Sequence, residues 1–141
     1  MMDIQLAKQV FTCIDNTTLN ATDSVASVEA FCQKTLHASF PVAAVCVYPR
    51  FVGVARRVLE GSGIRVASVA GAFPHGQLPL HLKVEEVKYA VGQGADEVDT
   101  VISRGALLAG EYNLVQDEVA AMKEACGRIH LKVIIETGEL P

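Results

Sequence analysis

The chain has 141 residues, 50% of them hydrophobic, with 12 Lys and Arg against 16 Asp and Glu and no tryptophan. That is enough apolar material for one packed core, so residues 1–141 read as a single domain and intrinsic disorder is excluded. A net charge of −4 and the lack of any Lys/Arg cluster argue against nucleic acid or an anionic membrane surface as the partner.

An amphipathic helix is predicted around residues 4–11. A short strand then opens at Ile14 and runs into Asp15-Asn16-Thr17-Thr18-Leu19. Thr22-Asp23 reads as the N-cap of a helix that places Val25, Val28, Cys32 and Leu36 on one stripe. Residues 42–48 form a β-branched strand halted by Pro49. The next helix carries Phe51, Ala55, Val58 and Leu59 on one face and ends at Gly61. Residues 64–69 then make a third strand. That strand leads into Gly71-Ala72-Phe73-Pro74-His75-Gly76, a loop punctuated by Pro and Gly in which His75 reads as a polar loop residue. A helix from about Leu80 buries Leu80, Val84, Val87 and Val91, leaves Lys83, Glu85, Glu86 and Lys88 on a solvated face, and stops at Gly92 and Gly94. Residues 97–102 are the fourth strand. Val115, Val119, Met122 and Cys126 mark a further helix, which Gly127 ends through a positive φ, and residues 131–137 are the fifth strand.

Two strands are interrupted by charge. Side chains alternate along a strand, so Glu97 and Asp99 share one side of the fourth, and Lys132, Ile134 and Glu136 share one side of the fifth. A buried unpaired charge is costly, so such groups pair with one another and concentrate at reaction sites. This pattern points to an enzyme.

Alternating strands and helices with short connections imply a parallel sheet, either open and doubly wound or part of a (β/α)8 barrel. An open sheet has helices on both faces and little use for a row of charges, whereas a barrel interior can hold them. Asp15, Thr17, Cys46, Phe73, Asp99, Glu136 and Thr137 are all expected at or near the C-terminal ends of strands, where barrel chemistry gathers. The fold class is therefore α/β, an incomplete (β/α)8 TIM barrel of about five parallel strands. A flavodoxin-like sheet fits less well, because no Gly-rich phosphate loop follows the first strand.

The four cysteines, Cys13, Cys32, Cys46 and Cys126, have no C-x-x-C spacing, and His37, His81 and His130 have no metal-ligand spacing. Reduced thiols are expected, with no metal and no cofactor. The longest apolar run, residues 41–48, is too short to span a bilayer. Met1-Met2-Asp3-Ile4 lacks the layout of a secretion signal, so a cytoplasmic location is expected.

Five segments, 15–19, 45–49, 71–76, 94–99 and 131–138, in this order and spacing, resemble the N-terminal part of the deoxyribose-phosphate aldolase family over essentially the whole chain. The resemblance implies a class I aldolase that reversibly cleaves 2-deoxyribose 5-phosphate into acetaldehyde and glyceraldehyde 3-phosphate through a lysine imine, with small-molecule partners and a homo-oligomeric state. By resemblance, Asp99 matches the acid of the proton relay. Asp15 and Thr17 match pocket residues of the first strand, Cys46 a pocket thiol, and Lys132 a strand-five lysine that does not form the imine, and Phe73 is counted among the pocket residues.

Each position also has a plainer reading. Asp99 could be a surface acid ending a strand, and Asp15 could accept backbone hydrogen bonds in a turn. Cys46 could be a small core residue. Glu97 could pair with Lys132 or with Arg65, and Lys132 could be a structural ion-pair partner. The resemblance assigns the imine-forming lysine to a sixth strand, and a second lysine and the phosphate-binding turns to the seventh and eighth. The expectation is therefore an aldolase segment that has no Schiff-base lysine and is inactive alone. The alternative is a non-catalytic half-barrel, whose open strand edges would make it self-associate or pair with a separate C-terminal half.

Overall fold

The computed structural model describes residues 4–140, in which helices and strands alternate from end to end. Helix α1 (Ile4–Phe11) leads to strand β1 (Asp15–Thr17), followed by α2 (Val25–Leu36), β2 (Ala44–Val47), α3 (Val52–Val58) and β3 (Arg65–Ala70). Then come α4 (Leu80–Gly92), β4 (Glu97–Val101), the short α5 (Arg104–Leu108), α6 (Tyr112–Cys126) and β5 (His130–Ile134). All four strand pairings are parallel, and the five strands lie in the order β1-β2-β3-β4-β5, a partial α/β barrel. No helix among the described residues is long and apolar enough to cross a membrane.

The pleat sorts the strand residues into two clusters. Val45, Val47, Val66 and Val98 face the helices and pack with Val28, Cys32, Val52, Ala55, Val87, Met122 and Cys126. Each fully buried valine of this outer core contributes about 1.5–3 kcal/mol through loss of water contact. On the opposite, concave face lie Ala44, Cys46, Ala67 and Val69, with Leu19, Tyr48 and Phe73 packed against them. These inner residues are mostly small, which leaves room in the hollow for longer polar side chains.

Several local features differ from the sequence-based expectation. The N-cap of α2 is Ser24, not Thr22-Asp23: Ser24 Oγ accepts from Ser27 N at 3.2 Å while Ser27 Oγ accepts from Ser24 N at 2.8 Å. Asp23 instead organises the preceding turn, accepting from the Thr18 hydroxyl and Asn20 N, and the Thr18 hydrogen bond leads in holding its carboxyl below the usual range. Strand β5 ends at Ile134, so Glu136 does not continue the inward row. Its backbone turns left-handed at φ 52 and a short 3-10 turn, Thr137–Glu139, follows. Helix α5, which directly follows β4, is too short for its periodicity to register in the sequence.

The sharpest departure is on α4. Lys83, expected on a solvated face, is fully buried, and Glu86 accepts a hydrogen bond from Ala72 N at 2.8 Å. Helical periodicity assigns a charged side chain to the outward face, whereas α4 is covered along this side by α6 and by the loops that follow β3 and β4.

Gly127 and Gly76 are among the glycines whose backbone other residues resist. Gly127 closes α6 at φ 56, as expected. Gly76 lies at φ 69, and a Cβ there would stand 2.8 Å from the Ile102 carbonyl oxygen, so the loop after β3 is pressed against the exit of β4. Gly76→Ala is expected to destabilise the chain by about 1–3 kcal/mol, from left-handed strain plus displacement of backbone, read as a lower denaturant midpoint at unchanged slope.

Candidate active site

The charged residues singled out in the sequence converge inside the hollow. Lys132 is the third residue of β5, and its register partner on β4 is Asp99. Strand alternation turns both inward, along with Glu97 two positions before Asp99. Asp15 opens β1 on the far side. The Lys132 ammonium forms an ion pair and hydrogen bond with Asp15, lies 3.0 Å from Glu97 Oε2 and lies 3.2 Å from Asp99 Oδ1. The contact to Asp99 is one of charge without hydrogen-bond geometry, so Oδ1 lacks a directed donor. Glu97 is shared, because its Oε1 also meets Arg65 Nη1 at 2.8 Å, and the two partners open in the sequence are both used.

Two cations therefore face three carboxylates in a partly dry space. Burial works against the Lys132 charge, but the hydrogen bond to Asp15, the charge of Asp99 and the close contact with Glu97 overcome it and hold the ammonium above the ordinary lysine range. For Asp99 the balance tips the other way. Burial raises its pKa, Lys132 lowers it, and Asp15 and Glu97 push it up further, leaving the carboxyl above the usual aspartate range. Cys46 donates toward Asp99 Oδ2 at 3.9 Å, and burial, followed by the Asp99 charge, pushes its thiol up to about 12. It is a neutral wall residue at ordinary pH, not an activated nucleophile.

The remaining expected pocket residues sit at the margin. Thr17 shares the face of Asp15 but is exposed, and its hydroxyl donates to the Asp15 carbonyl at 3.2 Å. Phe73, in the loop after β3, packs edge-on to Tyr48 with ring centroids 6.3 Å apart and caps the apolar part of the hollow. Tyr48 was not singled out in the sequence; its place at the end of a strand before Pro49 was the available signal. Of the residues expected at or near the C-terminal strand ends, Thr17 closes β1 and Phe73 follows β3, whereas the placement of Asp15 and Asp99 needs correction. Asp15 begins its strand, and Asp99 and Lys132 lie mid-strand. Glu136 and Thr137 lie beyond β5 on the rim, Glu136 paired with Arg104 at 2.6 Å. The long lysine arm, not the strand ends, sets where the charges meet.

Beneath the cluster is a cavity of about 430 Å3 bordered by Cys13, Asp15, Arg65, Glu97, His130 and Lys132. A larger one, about 590 Å3, lies away from the hollow beside Arg56 and Arg57, whose guanidinium groups are paired with Asp96 and Glu29. Arg65 borders it too, but Asp15, Glu97, Asp99 and Lys132 do not. Among the described residues no three His, Cys, Asp or Glu side chains are grouped to hold a metal ion. The arrangement offers a carboxyl able to exchange a proton beside a fixed ammonium, which suits proton transfer at a small polar substrate.

Residues 9–140 match the family model described as DeoC/LacD family aldolase. The chain is similar to a Bos taurus protein named deoxyribose-phosphate aldolase, 40% identical over 148 residues that cover 92% of this chain and 46% of the relative. In structure it is similar to a Coccidioides immitis protein provisionally named a deoxyribose-phosphate aldolase, with TM-score 0.88, 30% identity, and 95% of this chain and 52% of the other covered. It is also similar to the tetrameric deoxyribose phosphate aldolase of Aeropyrum pernix, with TM-score 0.77, 25% identity, and 95% and 55% covered. The chain thus spans about half the length of the relatives it matches.

Ionisation and exposure in the hollow and around it each give an expectation. With a folded-state pKa above its unfolded value, Asp99 adds stability when protonated, fully below the ordinary aspartate value of 3.8, and loses that contribution as pH rises through its folded pKa. Asp99→Asn is therefore expected to melt higher than the parent at about pH 7 and together with it at about pH 3; a lower melting temperature at about pH 7 would mean that Lys132 outweighs burial. Cys13 is exposed while Cys32, Cys46 and Cys126 are buried, so iodoacetamide on the native chain is expected to label Cys13 alone, with the other three reacting only after denaturation.

Proposed function

Because the chain belongs to the DeoC/LacD family of aldolases, we propose that it is the N-terminal portion of a deoxyribose-phosphate aldolase and supplies the acid–base half of the site. The proposed reaction is the reversible cleavage of 2-deoxy-D-ribose 5-phosphate into acetaldehyde and D-glyceraldehyde 3-phosphate. A lysine amine adds to the substrate carbonyl and loses water to form a protonated imine. The electrons of the breaking carbon–carbon bond then flow into that imine, giving an enamine and releasing the aldehyde. Protonation of the enamine and hydrolysis complete the turnover, and no cofactor is required because the imine is itself the electron sink.

The observation that carries this reading is Lys132 meeting Asp15, Glu97 and Asp99 in a hollow otherwise walled by Ala44, Ala67, Val69 and Cys46. In the proposed mechanism Asp99 relays protons to and from the substrate, since its raised pKa brings the carboxyl closer to the working pH than a free aspartate. Lys132 orients the acids and holds positive charge beside the reacting hydroxyl. Asp15, Thr17, Cys46 and Phe73 line the pocket.

Lys132 is a poor candidate for the imine, because three carboxylates keep its amine protonated and without a free lone pair. Lys8, Lys34, Lys88 and Lys123 are exposed on helices, and Lys83 is buried outside the hollow. We therefore propose that the nucleophile comes from a segment outside this sequence; the likeness to the tetrameric Aeropyrum pernix protein supports an oligomeric active form.

Borohydride reduction in the presence of acetaldehyde, followed by peptide mapping, tests the assignment. Lys132 is expected to remain unmodified in this chain. When the C-terminal half of a related aldolase is supplied, the reduced adduct is expected on a lysine of that half. An adduct on Lys132 of the isolated chain would overturn the assignment.

A further inference from the structure

A second polar cluster lies on the helical side of the sheet. The Lys83 ammonium is fully buried and donates to Ser103 Oγ at 2.7 Å and to both Glu118 oxygens at 3.1 Å. The Ser103 hydroxyl donates in turn to Glu118 Oε2 at 2.6 Å, which closes a three-membered ring of hydrogen bonds between α4, α6 and the exit of β4. None of these groups reaches the hollow or contacts the Lys132 cluster. Stability is a weak reason for such an ion pair, since two apolar side chains of similar size commonly serve as well.

What the cluster grips is the turn that leaves β4. Ser103 points back to the helices, and its neighbour Arg104 points along the rim. Arg104 donates to the Pro74 carbonyl at 3.1 Å in the loop after β3, and pairs at 2.6 Å with both Glu136 and Glu139 after β5. Consecutive residues thus tie the β4 exit to α4 and α6 on one side and to both flanking loops on the other. Helix α4 adds a second tether through Glu86, which accepts from Ala72 N in the Phe73 loop, and Gly76 of that loop sits against Ile102.

We propose that Lys83, acting with Glu118 through Ser103, is a positioning residue for the mouth of the candidate site. It holds the exit of β4 so that Arg104 stays clamped between the loops after β3 and β5, and Phe73 is kept over the hollow in one arrangement. The inference rests on the location of the site and not on the aldolase chemistry, so its test reads backbone protection and can fail independently of the borohydride experiment.

Amide hydrogen exchange on the full chain decides it. In Lys83→Met/Glu118→Leu, where the buried pair is replaced by apolar side chains, the unfolding midpoint is expected to stay near that of the parent. Exchange in residues 72–76, 102–104 and 136–139 is expected to quicken roughly tenfold or more, while β2 and β3 keep their protection. Ser103→Ala, which leaves the ion pair in place, is expected to loosen the same three segments, and Ser103→Thr to restore them. Parent-like exchange at the rim in both the double variant and Ser103→Ala would overturn the proposal and leave Lys83 a structural residue. Should the double variant not fold, the Ser103→Ala and Ser103→Thr pair decides alone: parent-like exchange in Ser103→Ala overturns the proposal, and loosening that Ser103→Thr reverses upholds it.

Discussion

The meeting of Lys132 with Asp15, Glu97 and Asp99 is the constraint around which the concave side of this chain is organised. It joins the first and last strands of the sheet across the hollow, residues 117 positions apart in the sequence. Charges in a poorly solvated space attract strongly but lose hydration, so the arrangement persists only because each group has partners. The lysine retains about a third of its side-chain exposure, and water moderates both the attraction and its cost. Room for the cluster comes from Ala44, Ala67 and Cys46, which leave the inner face without bulk where the helix-facing side of the same strands is filled with valine.

The same crowding creates an imbalance, and the proposed proton relay rests on it. Three acids compete for one ammonium and one guanidinium, and Asp99, whose Oδ1 is buried without a hydrogen-bond donor, has its charge disfavoured by burial. A carboxyl in that condition changes its protonation state more readily near neutral pH than a free aspartate, which is what the proposed relay requires. Perturbed ionisation of this kind accumulates at reaction sites because chemistry needs a group that changes state readily. Cys46, close to the same acid, is driven the opposite way from reactivity: burial and a neighbouring negative charge keep its thiol neutral.

Polar organisation recurs at the rim but with a different character. In the hollow the charges leave one acid under-satisfied, whereas Lys83, Glu118 and Ser103 behind the sheet satisfy one another fully. The first arrangement suits reactivity and the second suits rigidity. They are linked through β4, which carries Asp99 in its middle and Ser103 and Arg104 at its exit, so one strand both presents the acid and anchors the loops around it.

Strand alternation made the inward set of Glu97, Asp99 and Lys132 legible before any coordinates, because the period of a strand is two and admits no other sorting once the strands are located. The parallel order followed from the alternation of elements, and the five matching segments carried the family. Three-dimensional packing alone decided which acid each cation chose, since Asp15 and Lys132 are brought together by the curvature of the sheet and by no local rule. Lys83 makes the limit clear. On helical periodicity it belongs with Glu85 and Lys88 on a wet face, and only the helix and loops laid over it turn that surface into an interior. Glu136 likewise left the inward row because its backbone turned at φ 52 toward Arg104. Periodicity reports the direction of a side chain relative to its own element; what lies in that direction is settled by the neighbours the fold supplies.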